Sequence, residues 1–185
     1  MTMMWGILLL SLGVEAAWSE RCTAPIGVRN LAKHGVVSQS STYVDSVSAA
    51  HMGPELAIDG NNDSKYSQGS CSHTKKEYEP WWSLDMKHSH RIGTVVLTIR
   101  TDCCQERMLG AEVMVGDSPN GDNPVCGVVQ DASQETIAFC CDGMVGRHVT
   151  VRIPRSENHL TMCEVEVYEY VETPDVRPEE VVWSE

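Results

Sequence analysis

Two arginines, an aspartate and a pair of adjacent cysteines crowd into residues 100–107, "RTDCCQER". Arginine offers a fixed fork of donors and aspartate supplies acceptors that orient it. Arg100, Asp102 and Arg107 therefore make a neutral, hydrogen-bond-rich patch that suits hydroxyl groups. A surface salt-bridge network is the plain alternative, because exposed ion pairs are common and contribute little. The doublet Cys103-Cys104 alters that balance. Adjacent Cα atoms lie about 3.8 Å apart, below the roughly 4.4–6.8 Å usual for a disulfide. A bond between these neighbours would close a strained eight-membered ring, and strain tends to persist where it serves a site. The ring would present a stiff, apolar, polarisable sulfur surface beside the arginines. Hydroxyl-binding groups next to a small apolar platform describe a site for a sugar that carries a methyl group. Bonding to separate partners is the commoner fate of a cysteine doublet, and Cys140-Cys141, with no Arg or His beside it, is expected to behave that way.

Upstream, "GSCSHTKKEYEPWWSLD" (69–85) holds Cys71, His73 and the pair Trp81-Trp82. His73 could serve a sugar oxygen, although a lone loop histidine is more often incidental. The tryptophans could stack on a sugar face, but "WWSLD" reads as the start of a strand, and the area a tryptophan buries favours the core. "DGNNDS" (59–64) offers hard oxygen ligands at alternating positions, which suit Ca²⁺. It is not an EF-hand, since Ser64 stands at the sixth position and Ser70 at the twelfth. A plain Asn/Asp-rich turn is the alternative. Asn62-Asp63-Ser64 is also a formal glycosylation sequon, expected to be poorly used on such a turn.

These residues must be held by strands. From about residue 27 to 170, short runs rich in Val, Ile and Thr are separated by Gly, Asn, Asp, Pro and Ser clusters: "GTVVLTIR" (93–100), "AEVMVGD" (111–117), "ETIAFCC" (135–141), "GRHVTVRIP" (146–154) and "CEVEVYEY" (163–170). Val149, Val151 and Ile153 alternate with Thr150 and Arg152, and Cys163, Val165 and Val167 alternate with Glu164, Glu166 and Tyr168. Period two buries one face of each strand. No long helical period competes, so the pattern predicts an all-β sandwich or jelly roll, one domain without internal repeats, with function on the loops at one end.

The chain has 185 residues and eight cysteines, enough for one domain of ordinary size with a targeting segment and a tail. Residues 3–14, "MMWGILLLSLGV", are apolar but too short to span a bilayer, and Val14-Glu15-Ala16 follows as a cleavage site. Residues 1–16 are therefore expected to be a secretory signal peptide, 17–29 an N-terminal segment, and no later segment a membrane span. An even cysteine count fits disulfides in an oxidising compartment; the absence of any Cys-x-x-Cys argues against zinc. Net charge is −12, which excludes a phosphate-tracking nucleic-acid binder. Residues 171–185, "VETPDVRPEEVVWSE", carry five acids and one arginine and read as a solubilising, mobile acidic tail.

His73, then twenty-six residues, then Arg100-x-Asp102, then four residues and Arg107, resembles the signature of the F-type lectins, or fucolectins. The resemblance runs over residues 30–170 and includes "AIDGN" (57–61), "PWWSLD" (80–85), "GRHVTV" (146–151) and "CEVEV" (163–167). It implies a β-jelly roll of discoidin-like architecture that binds α-L-fucose, with His73, Arg100 and Arg107 on the ring and hydroxyl oxygens. Asp102 would orient the arginines, and a Cys103–Cys104 ring would pack against the sugar. Fucose is a 6-deoxy sugar, which fits the methyl platform. The resemblance also implies a structural Ca²⁺ held by Asp59, Asn61, Ser70 and Glu164 with backbone oxygens of Leu56 and Cys163, and disulfides Cys71–Cys163 and Cys126–Cys141. Cys22 and Cys140 have no family counterparts and are left to pair with each other or across subunits. In the recognition loop, residues 47–51, Val47 and Ser48 replace family acidic and histidine residues, which leaves the preferred oligosaccharide open. The implied function is a secreted lectin of innate defence for fucosylated glycans on cell or microbial surfaces, oligomeric because single sugar sites are weak. A discoidin-like adhesion module for protein or lipid is the alternative. An enzyme is not expected, since no carboxylate pair stands near the cluster for glycoside hydrolysis.

Overall fold

The structure is a computed structural model, described over residues 22–46 and 50–172. The expected signal peptide, most of the acidic tail and residues 47–49 of the recognition loop lie outside the described residues. Nine strands follow in order: β1 (Val36–Gln39), β2 (Ser72–His73), β3 (Glu77–Tyr78), β4 (Trp81–Ile99), β5 (Glu112–Gly116), β6 (Val125–Val128), β7 (Thr136–Arg152), β8 (Glu157–Asn158) and β9 (Thr161–Glu169). The only helical elements among the described residues are four short 3-10 turns. None of these is long and apolar enough to cross a membrane.

Seven strands form one antiparallel sheet in the order β2-β9-β4-β7-β5-β6, with β1 on β4; β3 and β8 form a separate ribbon. The fold is all-β and antiparallel, as the period-two pattern predicted. Two expected boundaries were too short. "GTVVLTIR" is the second half of the 19-residue β4, and "ETIAFCC" and "GRHVTVRIP" are one strand, the 17-residue β7. The interruption that hid this is real. The β4–β7 register shifts between Asp85 and His90 and again between Ile92 and Thr94. A bulge of this kind bends a strand and sharpens its twist, so one strand can serve two walls of a closed core.

Trp82 and Leu84 from the first half of β4 share one core with Val95, Leu97 and Ile99 from its second half and with Val149, Val151 and Val165. Gly93 sits at the second shift, where a Cβ would lie 2.8 Å from the Tyr170 Cα. Only glycine lets the β9 end approach that closely. Trp82 is fully buried and donates its indole N–H to the Pro54 carbonyl at 2.9 Å. Its neighbour Trp81 points the other way and is 36% exposed. The core role favoured for the tryptophans therefore holds for Trp82 and not for Trp81.

Four disulfides close the frame: Cys22–Cys140, Cys71–Cys163, Cys103–Cys104 and Cys126–Cys141. Cys140-Cys141 takes two separate partners, as its setting suggested, while Cys103-Cys104 pairs with itself. Cys22 and Cys140 pair with each other within the chain, pinning the N-terminal segment across 118 residues of sequence.

Candidate functional site

At one end of the sheet an open concavity of about 250 Å³ is lined by His73, Arg100, Cys103, Cys104 and Arg107, together with Tyr43, Asp45, Tyr66 and His159. Each side chain arrives by a different route. Arg100 directly follows β4, whose apolar run ends at Ile99. His73 ends β2, which pairs with the start of β9 through Ser72↔Met162 and His73↔Thr161. Cys71–Cys163 fastens the same two strands. Arg107 lies in a 3-10 turn, Gln105–Met108, entered from Cys104 in the left-handed region at φ 66° and anchored by buried Met108. The Arg107 amide donates to the Cys104 carbonyl at 3.1 Å, and its carbonyl accepts from the Asn158 side chain at 3.1 Å.

The polarity of the site follows from these settings. His73 is 5% exposed. Its ring approaches the Thr74 carbonyl through Nδ1 at 2.6 Å, so Nδ1 carries the donated proton. In the neutral ring Nε2 is then an acceptor. Burial pushes the ring down to about 4, opposed by that hydrogen bond and helped by the nearby His159, Arg100 and Arg107. A buried imidazole that cannot afford charge stays neutral near pH 7. Tyr43, Tyr66 and His159 pack round it with ring centroids at 5.0, 5.7 and 5.0 Å.

Arg100 is clamped. Its Nε donates to Asp102 at 2.6 Å and its Nη2 at 3.3 Å, while the guanidinium lies over the Tyr66 ring at 4.4 Å. The Arg100 hydrogen bond holds the Asp102 carboxyl below its ordinary value. Tyr66 is in turn pushed up to about 12, first by burial and then by Asp45, whose carboxylate accepts its hydroxyl at 3.3 Å. Arg107 has no ion-pair partner among the described residues. The expectation that Asp102 would orient both arginines is thus corrected: of the two it holds only Arg100, while Arg107 is positioned through its backbone. The site offers two guanidinium forks, one imidazole acceptor and a sulfur wall, with the Asp45 carboxylate engaged by the Tyr66 hydroxyl.

The Asn/Asp-rich turn joins the site through Ser64 and Thr101. Asp59, Asn61 and Asp63 each accept the amide two residues on, at 2.8, 3.3 and 2.9 Å. The Gly60 amide donates to Glu164 at 3.2 Å, although 104 residues separate them. Glu164 is 3% exposed and pushed up to about 7, mainly by burial and also by Asp59. Glu164 alternates with the core-facing residues of β9, and this turn covers it. A buried carboxylate with one amide partner beside a second carboxylate is poorly satisfied without a cation. Three or more His, Cys, Asp or Glu do not converge here or elsewhere among the described residues. Any ion would rest on Asp59 and Glu164 with amide, hydroxyl and carbonyl oxygens, a hard donor set that suits Ca²⁺. Buried Ser70 donates to the Asp63 carbonyl at 2.5 Å. The turn reaches the pocket directly: the Thr101 amide donates to the Ser64 carbonyl at 2.9 Å, and the two hydroxyls meet at 2.7 Å.

Five of the lining residues are legible in the sequence, whereas Tyr43, Asp45, Tyr66 and His159 are not. None of these four carries a local motif; they come from loops whose convergence depends on the β2–β9 pairing and the Cys71–Cys163 bond.

The chain matches a family model described as "NedA-like, galactose-binding domain" over residues 56–151. It is 44% identical over 143 residues to Fucolectin-1 of Anguilla japonica, covering 75% of this chain and 79% of that protein. It is 43% identical over 146 residues to a pentraxin fusion protein of Xenopus laevis, covering 77% of this chain. The chain spans only 34% of the length of that fusion protein. Among solved structures, a serum f-lectin (fucolectin) of Morone saxatilis, striped bass, superimposes with a TM-score of 0.70 at 39% identity, over 80% of this chain and 49% of that one.

Proposed function

The chain belongs to the F-type lectin (fucolectin) family, a family of lectins rather than enzymes, and from that premise we propose that it binds terminal α-L-fucose in the His73–Arg100–Arg107 pocket. The observation that carries this reading is the coexistence in one concavity of a neutral imidazole acceptor, two guanidinium donors and the Cys103–Cys104 sulfur surface. His73 accepts a sugar hydroxyl proton at Nε2. Arg100 and Arg107 donate to hydroxyl and ring oxygens, and Asp102 keeps Arg100 fixed before the ligand arrives, so less ordering is required on binding. The C6 methyl packs on the cysteine pair, whose sulfurs are polarisable and place no strong hydrogen-bonding group there.

Ca²⁺ fits the Asp59 and Glu164 oxygens, with Asn61, Ser70 and the Leu56 and Cys163 carbonyls completing the proposed set. When bound, it supplies the charge that Glu164 and Asp59 call for. The turn itself then presents Ser64 to Thr101 and Tyr66 to Arg100, which steadies one side of the pocket. Four disulfides and the apolar leader support a secreted protein. A role in recognising fucosylated glycans on cell or microbial surfaces, as an oligomer that gains avidity, completes the reading. Retention on fucose-agarose tests it. The full chain is retained and eluted by free L-fucose, and Arg107→Ala is not retained while keeping its thermal midpoint. Undiminished retention of Arg107→Ala removes the proposed site.

A further inference from the structure

A second concavity lies on the side of the sheet away from the core and shares no residue with the pocket above. Strand register builds it. Ser38, Ser83 and Thr150 are neighbours across β1, β4 and β7, and in the next row Trp81 pairs with Arg152, which pairs with Glu112. The alternate residues Trp82, Leu84, Val149, Val151 and Val113 are buried in the core, so these two rows project outward. The segment Pro119-Asn120-Gly121 forms one wall and Glu79 another, enclosing about 380 Å³. That volume lies within the range of small-molecule sites.

The walls are fixed. Asn123 brackets its loop, accepting from the Ser118 amide and donating to the Ser118 carbonyl, both at 2.9 Å. Gly121 sits at φ +79°, and a Cβ there would lie 3.9 Å from the Thr150 methyl. Glu79, at φ 51°, accepts the Arg155 amide at 2.8 Å. On the floor, the Ser83 and Thr150 hydroxyls meet at 3.2 Å. The Arg152 Nη2 donates to Glu112 at 3.0 Å, while its buried Nε has no partner.

This lining selects among ligands. Arg152 is already paired with Glu112, and Glu79 stands opposite, so an anion would meet a carboxylate. Three hydroxyl side chains and one amide make the surface too polar for a lipid chain or an apolar peptide. What it does match is a molecule with one apolar face and a rim of hydroxyls: the half-exposed Trp81 ring takes the face, and the serine, threonine and asparagine groups take the rim. We propose that this cavity is a second carbohydrate site, which takes a neutral pyranose of a glycan against Trp81. It stands whether or not the first pocket binds fucose. With two sugar sites on different faces, a single chain bridges two glycans or two arms of one, giving avidity without oligomerisation.

The test is an NMR titration of the full isotopically labelled chain with the methyl glycosides of D-galactose, D-mannose, D-glucose and N-acetyl-D-glucosamine. At least one gives a saturable shift of the Trp81 indole N–H below about 50 mM, the weak range expected of a single sugar site. That shift persists in Arg107→Ala and is lost in Trp81→Ala. Ser38→Arg, at an exposed rim position, fills the cavity without touching the core and also abolishes it, providing the test should Trp81→Ala fail to fold. The response of His73 to L-fucose is read in the same spectra, so failure at either site is distinguished from failure at the other. No saturable Trp81 response to any of the four glycosides overturns the proposal, as does a response that survives Ser38→Arg.

Discussion

Asp102 does not line the His73–Arg100–Arg107 pocket proposed for fucose, yet it should control affinity there. It grips Arg100 through two contacts, 2.6 and 3.3 Å, and the two side chains are 29% and 18% exposed. Asp102→Ala removes that grip, and with it the hydrogen bond Asp102 accepts from the Tyr66 backbone, without touching the core. Arg100 retains its stack over Tyr66 at 4.4 Å but regains rotamers that the ligand must then freeze. Immobilising such a side chain costs about 0.5–1.5 kcal/mol, equivalent to a weakening of about 2- to 12-fold in affinity. Isothermal titration with L-fucose reads this directly, with Asp102→Asn intermediate because one oxygen still accepts the Arg100 Nε. A loss beyond about 100-fold would show that Asp102 touches the sugar itself, and unchanged affinity would show that Tyr66 alone suffices; either result refutes the positioning argument.

Acidification should act through His73. Its ring is pushed from an ordinary 6.5 down to about 4 in the folded chain, mainly by burial. Between these values the unfolded ring takes a proton that the folded ring refuses. This contribution to stability is therefore complete above about pH 6.5 and is lost as the pH falls to about 4. Fucose binding, which needs the Nε2 lone pair, holds at pH 5 and disappears through pH 4; titrations across that range check it, and a midpoint near 6.5 contradicts it. Replacing L-fucose by L-galactose places a hydroxyl against the Cys103–Cys104 sulfurs. Leaving that group unsatisfied costs about 1–3 kcal/mol, so competition should show binding about 5- to 150-fold weaker; equal binding would turn the methyl away from the sulfurs. Chelation should lower the thermal midpoint. At free Ca²⁺ about 100 times Kd the stabilisation is about 2.7 kcal/mol, or about 5–11 °C for a domain of this size, and Glu164→Gln should shrink the chelator effect. An unchanged midpoint in the wild-type chain contradicts a bound ion.

Much of the site was legible because its chemistry is concentrated in sequence. Arg100, Asp102, Cys103, Cys104 and Arg107 fall within eight residues, and His73 enters by its spacing from them. The aromatic half was not legible. Tyr43 and Tyr66 owe their places to disulfide and strand pairings that no local pattern records, and the clamp on Arg100 depends on Tyr66 as much as on Asp102. Alternation identified the inward faces of β7 and β9 but says nothing of what covers the other face. Glu164 lies on that face, and its burial under the distant 59–65 turn was expected only through the resemblance that made it a Ca²⁺ ligand. The length of β4 was hidden for a different reason. "DMKHSH" (85–90) interrupts the apolar pattern because the strand bulges there, with Lys87 at φ 70°. In "WW" the pleat puts one ring in the core, as the strand reading expected for both, and leaves the other outside it.

The most direct measurement is a titration of the full chain with L-fucose, following the His73 ring and the Arg100 and Arg107 guanidinium N–H signals by NMR. Saturable shifts at all three, with one common Kd and with His73 remaining neutral, are the predicted result. Fucose binding that leaves those three signals unmoved would contradict it.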